Sequence, residues 1–332
     1  MPTVEKVVQT TGKSDPGLPV KPRRKNEARS VRAEYRHIRK EVDGRVFAAK
    51  LALLCALVLG AGALVWHGAL WSRVLGGLVL GVMFAHALEL QHEALHGIGF
   101  AGRRKNVVAG VLLGLPMLTS FAGYQASHMR HHRDLGTPEN EEFFDYGDQY
   151  GDQDRGRLRT ACLWLYRFSM IAHYGQFFVT AGRLLTGRPL PKERRATVRR
   201  MRRDHVLMVL AIAAAVIGSV LTGSTFMVWA WLLPLLVVAG PVHAAIELPE
   251  HFRTETETTD PFRNTRSILS NRFMAWLTNG NNFHVEHHLM PTLPISQLGE
   301  LHEAMSGRHV YYNRTYAEFF RGLRQRSRRK TA

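Results

Sequence analysis

Four stretches of the chain are apolar enough to cross a bilayer, and their spacing sets the expected architecture. They run from about Ala48 to His67, Arg73 to Leu90, Val206 to Leu221 and Phe226 to Ile246. At a rise of about 1.5 Å per residue, a helix of about 20 apolar residues matches a hydrocarbon core about 30 Å thick. Only Gly68–Ser72 separates the first pair and only Thr222–Ser224 the second, so the pattern predicts two helical hairpins. A further apolar stretch, Val107 to Ala122, is short for a span and holds Gly110, Gly114 and Pro116. It is expected to be re-entrant or interfacial. Ala161 to Leu185 is apolar but interrupted by Arg167, His173, Gln176 and Arg183, which fits an interfacial amphipathic helix. Tyr35 to Lys50 alternates charged and apolar residues and reads as an amphipathic or solvated helix leading into the first span.

Charge gives these spans an orientation. The 332 residues carry a formal net charge of +17, and the Lys and Arg are unevenly placed. The two short turns have none. The N-terminal arm (Lys21, Arg23, Arg24, Lys25), the block from Lys192 to Arg203 and the tail (Arg324, Arg326, Arg328, Arg329, Lys330) are rich in them. The positive-inside rule therefore puts both termini and the central region on the cytoplasmic side. So high a charge alone would also suit nucleic acid or an acidic partner. Alongside four spans it is accounted for by topology and lipid headgroups, and no nucleic-acid partner is expected. Two cysteines, Cys55 and Cys162, exclude a disulfide framework and a Cys-based zinc site. The expected organisation is a basic, largely disordered arm over residues 1–45, a membrane domain over 46–305 and a basic cytoplasmic tail over 306–332. The arm lacks the pattern of a cleavable signal peptide.

The chemistry-bearing residues are histidines. Eight of the seventeen fall in three boxes: His92 and His96; His128, His131 and His132; His284, His287 and His288. On a helix, positions i, i+3 and i+4 share a face, so each box concentrates imidazole nitrogens that suit Fe, Zn, Cu or Ni. A crossing at Val107–Ala122 would put the first and second boxes on opposite faces, where one metal site could not use both, so that stretch is expected to be re-entrant or interfacial and all three boxes to lie on one side of the membrane. Eight ligands exceed the need of one ion and suit two. His251, just after the fourth span, is a ninth candidate, preferred over His243 inside the apolar run. Glu93, Glu250 and Glu286 are placed either to orient imidazoles or as solvated helix residues. Asn281 and Asn282 read as holders of a metal-linked water or as helix caps. His37, His205, His302 and His309 read as surface residues, His86 as a packing residue, and His67 as the outer end of the first span. His173 belongs to the interfacial helix. Phe84, Phe121, Trp229 and Trp231 could line an acyl channel but read more readily as packing or lipid-facing.

The order His92-Glu93-Ala94-Leu95-His96, His128-Met129-Arg130-His131-His132 and Asn281-Asn282-Phe283-His284-Val285-Glu286-His287-His288-Leu289-Met290-Pro291 resembles the membrane fatty acid desaturase superfamily. The likeness covers roughly residues 45 to 305. It implies an all-α integral membrane fold, with four transmembrane helices in two hairpins and a cytoplasmic helical cap holding a histidine-rich di-metal site. It also implies two iron ions, with O2 as co-substrate, bound by His92, His96, His128, His131, His132, His251, His284, His287 and His288. The implied enzyme sits in the cell membrane and desaturates the acyl chain of a lipid or fatty acyl substrate. No cytochrome-like electron domain is recognisable at either end, so a separate donor, ferredoxin or cytochrome b5-like, is expected. A hydroxylase or ketolase inserting oxygen into an acyl or isoprenoid chain uses the same constellation and is the alternative within the class. A membrane metal-binding or transport protein is the alternative outside it. Transport normally places ionisable residues within the spans, and these boxes lie outside them.

Overall fold

The computed structural model describes residues 27–38, 41–140 and 156–329. The basic cluster at Lys21–Lys25 and most of the acidic stretch from Asp134 to Asp154 lie outside them. The fold is mostly helical. Four segments are long and apolar enough to cross a membrane: α2 (Gly44–His67), α3 (Leu70–Leu95), α8 (Arg195–Thr222) and Val228–His251. Each is longer than its apolar run alone. Asp43 caps α2, accepting a hydrogen bond from the backbone N–H of Arg45, and Gly68 ends the helix in the left-handed region at φ 89°. The basic block expected between the interfacial helix and the third span is continuous with α8 and forms its opening turns.

α3 is the axis of the molecule. Its most apolar window is 72% buried, against 17% for α2 and 11% for α8. Small residues make this packing close. A Cβ at Gly76 would sit 2.6 Å from the carbonyl of Ala61 on α2, and one at Gly81 would run into Val238 and Pro234 of the fourth segment. The fourth segment thus lies along α3. It opens with π-helical turns at Val228–Leu232 and Pro234–Ala239, then continues as α9 (Gly240–His251). Pro234 and Pro241 lack the N–H that a regular ladder needs, and the widened turns accommodate them. The lipid side of the spans keeps its large apolar residues exposed, including Leu210, Ile217, Val220 and Leu221 on α8.

The stretch from Val107 to Ala122 is not one helix. It breaks at Leu115–Ser120 between α4 (Arg103–Gly114) and α5 (Phe121–Asp134). At about 1.5 Å per residue α4 is about 18 Å long, too short to cross. Asp204, fully buried on α8, accepts from the Ser120 hydroxyl at 3.0 Å and from the Ala122 N–H at 2.9 Å, so it pins the start of α5. The expected interfacial helix is also two helices, α6 (Arg157–Phe168) and α7 (Ile171–Leu185), broken at Met170, whose φ is +51°. α7 buries Tyr174, Phe177, Ala181 and Leu184 and exposes Phe178 and Val179.

The cap is assembled from short pieces after the fourth segment. These are α10 (Pro261–Asn264), α11 (Arg272–Leu277), α12 (His284–Leu289), α13 (Leu298–Ala304) and α14 (Tyr316–Arg329). A two-residue parallel pair, β1 (Ser267–Ile268) with β2 (Tyr312–Asn313), qualifies the all-α expectation. Residues 27–38, within the arm read from sequence as largely disordered, are folded here. Val31, Tyr35 and Ile38, the first on α1 (Glu27–Glu34), pack with Val285, Leu289, Leu298 and Met305, and Arg32 Nε donates to the Leu289 carbonyl at 2.7 Å. α14, within the expected basic tail, buries Tyr316 and Phe319 against Leu248, Phe252 and Ile268.

Candidate metal centre

Three elements bring the boxes together. His92 lies in the last turn of α3 and His96 caps its C-terminus. α5 carries the second box and α12 the third. α12 has only six residues, too few to hold a helix by itself, and depends on Val285 and Leu289 packing into the cap.

The nine predicted histidines all converge, in two sets. His92, His96, His128, His132 and His287 form one; His131, His251, His284 and His288 form the other. The sets adjoin, with the rings of His132 and His288 centred 4.3 Å apart. Each HxxHH box is therefore shared. In the second box the i, i+4 pair joins the five-member set and His131 crosses to the other. In the third box the i, i+4 pair joins the four-member set and His287 crosses back. His251 stands in the four-member set, while His243 pairs with carboxylates elsewhere.

The spacing of the nitrogens tests whether such a site fits a metal. In the five-member set Nε2–Nε2 distances are 2.8 Å (His92–His128), 3.0 Å (His96–His128), 2.9 Å (His128–His132) and 3.0 Å (His132–His287). In the other they are 3.1 Å (His131–His288), 3.2 Å (His251–His284) and 3.2 Å (His284–His288). Donors about 2.1 Å from one ion and at right angles lie about 3.0 Å apart. Hydrogen bonding does not explain the pattern. His128 Nε2 faces three other Nε2 atoms, and a neutral imidazole has a single N–H to share among them.

Protonation agrees with that reading. Burial, reinforced by neighbouring imidazoles, holds His96, His128, His132, His284, His287 and His288 well below the ordinary histidine range. These rings are neutral at pH 7, as a ligating nitrogen must be. The other ring nitrogen sets the tautomer. His251 Nδ1–H donates to the Asn264 carbonyl at 2.9 Å and His284 Nδ1–H to Asn281 Oδ1 at 3.1 Å.

The carboxylates proposed as orienting groups do other work. Glu93 pairs with Lys50 at 2.8 Å and accepts from Asn279. Glu250 accepts from Asn281 at 2.9 Å and lies 3.2 Å from His284 Nε2. Glu286, fully buried between the ligand positions of α12, accepts from Ser267, His302 and His309. His302 and His309 are thus not surface residues. They become half-buried and buried partners of Glu286 once residues 298–313 fold back over α12. His205 is buried too, with Nδ1 bonded to the Met201 carbonyl. His86 packs as expected, donating to the Leu277 carbonyl against Trp276. Asn282 bonds to the Ile268 carbonyl at 2.7 Å and ties the box to β1.

A cavity of about 760 Å³ opens onto His92, His128, His131, His251 and His284, within the range of small-molecule sites. Glu89, His173, His243 and Glu247 also line it, and the sequence reading gave none of them a place there. The available signal was ionisable residues inside apolar spans, with Glu89 three residues before His92 and His243 four before Glu247.

The fatty acid desaturase family model matches residues 69–320, the greater part of the chain. The chain belongs to the fatty acid desaturase family. It is similar to dihydrorhizobitoxine desaturase of Bradyrhizobium elkanii, 24% identical over 280 residues, which are 80% of this chain and 76% of that protein. Membership makes it a membrane oxidoreductase acting on acyl chains. The matched region begins at the turn into α3 and ends within α14, so it encloses every box and both nitrogen sets.

Proposed function

We propose that the protein is an oxygen-dependent, di-iron desaturase that removes two hydrogens from an acyl-type substrate and leaves a carbon–carbon double bond. The observation that carries this reading is the division of nine imidazoles, seven of them buried and His96 and His132 partly so, into sets of five and four at the spacing of a metal polyhedron. His92, His96, His128, His132 and His287 would hold one ion, and His131, His251, His284 and His288 the other. Iron bound there would supply, with dioxygen, the redox chemistry that breaks an unactivated C–H bond.

The protein's own residues do the rest. Asn281 and the Asn264 carbonyl hold His284 and His251 in the tautomer that turns Nε2 to the centre. Asp204 and Gln91 hold α5 and the preceding turn, so the second box is fixed from two sides. The cavity presents the substrate to His92, His128 and His284 on one wall. Positioning of this kind decides which hydrogens are lost.

Electrons come from a separate carrier, ferredoxin or cytochrome b5-like, steered by the basic face. That face, with both termini and the metal centre, is cytoplasmic, and the membrane is the cell membrane. Residues 46–305 form the enzymatic unit, with the arm (1–45) and tail (306–332) adding α1 and α14 to its surface. Mass spectrometry of lipids and acyl metabolites from cells making wild type or His287→Ala tests the reading. A product lighter by two hydrogens, present only with wild type, is expected. A product gaining oxygen would instead make the protein a hydroxylase or ketolase.

A further inference from the structure

The cavity that reaches the imidazoles carries ionisable side chains as well as apolar ones. Apart from Tyr124, its apolar wall is Leu88, Met170 and Ala172, and the aromatic residues Phe84, Phe121, Trp229 and Trp231 do not line it. Glu89, His243 and Glu247 line it as well. α3 places Glu89 one turn before His92. α9 places His243 and Glu247 one turn apart on the face that ends near His251.

The charges there do not balance. His243 Nε2 lies 3.0 Å from Glu247 Oε1, whereas Nδ1 is 3.5 Å from Glu89 Oε1. That Nδ1 is buried without a hydrogen-bond partner, in a side chain only 5% exposed. Glu89 is 3% exposed. Two carboxylates share one imidazole, so with both ionised even a protonated His243 leaves a negative charge unmatched. Such a charge within a membrane-spanning segment is costly unless something partners it. Other charged lining residues are matched, because Arg130 is paired with Glu193 and Asp134 with Arg133, each at 2.7 Å.

We propose that the cavity takes an acyl-derived substrate bearing a protonated amine, with the ammonium group held between Glu89 and Glu247 beside His243. This rests on the reading of the adjoining centre as an oxidase and adds the substrate class. A neutral chain at the same depth would leave Glu89 and Glu247 to share the one imidazole of His243. Because Glu89 lies three residues, about 4.5 Å along the axis, from His92, the carbons presented to the centre are those close to the nitrogen.

The test is calorimetric binding of n-hexylamine, n-hexanol and n-hexanoate to the purified full chain in nanodiscs, with Glu247→Gln and Glu89→Gln/Glu247→Gln alongside. Hexylamine is expected to bind at least ten-fold more tightly than hexanol, with hexanoate weakest. The preference should fall to within about two-fold in the double variant while the melting temperature of Glu247→Gln stays near wild type. Equal binding of hexylamine and hexanol by wild type overturns the proposal without need of a variant. So does an amine preference that survives the double substitution in a folded protein. Binding needs no metal, so the two readings separate. A chain that binds no iron and oxidises nothing, yet prefers the amine, sinks the oxidase and keeps this assignment. Desaturation of neutral acyl lipids at equal rates by wild type and Glu247→Gln does the reverse.

Discussion

Two groups of buried and partly buried histidines in this molecule look alike in composition and differ in kind. One is the double set of nine imidazoles; the other is His302 and His309 around Glu286, on the far side of the same short helix. In the first, nitrogens stand 2.8–3.2 Å from one another, with Glu250 at 3.2 Å from His284 Nε2. In the second, His302 Nδ1 and His309 Nε2 lie 2.6 and 2.5 Å from one carboxylate oxygen. The longer spacing is the edge of a metal polyhedron and the shorter one is a charge-assisted hydrogen bond. Burial alone would raise the Glu286 carboxyl, but hydrogen bonds from both histidines outweigh it and hold it at about 2. Ser267 satisfies the other oxygen at 2.6 Å. The difference shows that a candidate metal cluster has to be judged by distance as well as residue type. It also gives α12 two faces: one offers ligands, the other is bolted to the cap.

The largest expected effect comes from breaking the ligand face. His287→Ala should cut bound iron from about two ions per chain to one or fewer and lower product formation at least 100-fold, beyond the 10–100-fold losses typical of groups that merely support a ligand. His302→Ala should leave iron content within error of wild type. Iron measured by mass spectrometry on purified chains checks both, and equal loss in the two variants would erase the distinction.

Breaking the bolted face should act on stability first. Glu286→Gln removes the buried charge that His302 and His309 share, at a cost on the order of 3 kcal/mol. The expected result is a lower thermal midpoint in detergent with iron still bound at neutral pH. A variant that melts like wild type but loses its iron would place Glu286 with the ligands after all.

The smallest effects are in pH, and they sharpen the contrast because the two groups begin to lose their contribution at different pH. The ligand-face rings have folded values below the ordinary 6.5, so in the metal-free protein the unfolded chain takes up protons first as pH falls. Their contribution is full above about pH 6.5 and is lost as pH drops towards the folded values, by up to about 1.4 kcal/mol per pH unit for each proton. Glu286, depressed from 4.5 to about 2, contributes fully above pH 4.5 and loses that contribution between there and about pH 2. Denaturation of the metal-free chain across pH should show two steps, and Glu286→Gln should erase only the lower one.

Much of this was legible in the chain itself. Four apolar runs, three histidine boxes and the placing of His251 after the last run follow from hydropathy and spacing, because a helix in lipid must satisfy its backbone internally and expose apolar side chains, and the re-entrant reading of the fifth stretch follows from keeping the boxes on one side. The failures have one cause. His302, His309 and His205 lie in polar or basic sequence that reads as solvated, and only the return of residues 298–313 over α12, or the packing of α8 on α7, takes them out of water. The sharing of each box between two sets was equally invisible. At about 100° per residue, i and i+4 lie about 40° apart on a helix, whereas i+3 and i+4 lie about 100° apart. Local geometry therefore permits one centre or two. The choice was made by α5 and α12 meeting at the end of α3, so that each helix stands between two sets and gives its pair to one and its single histidine to the other. Residue types and their period fixed the kind of chemistry; the crossing of three helices distant in sequence decided how many sites it makes and what lies beside them.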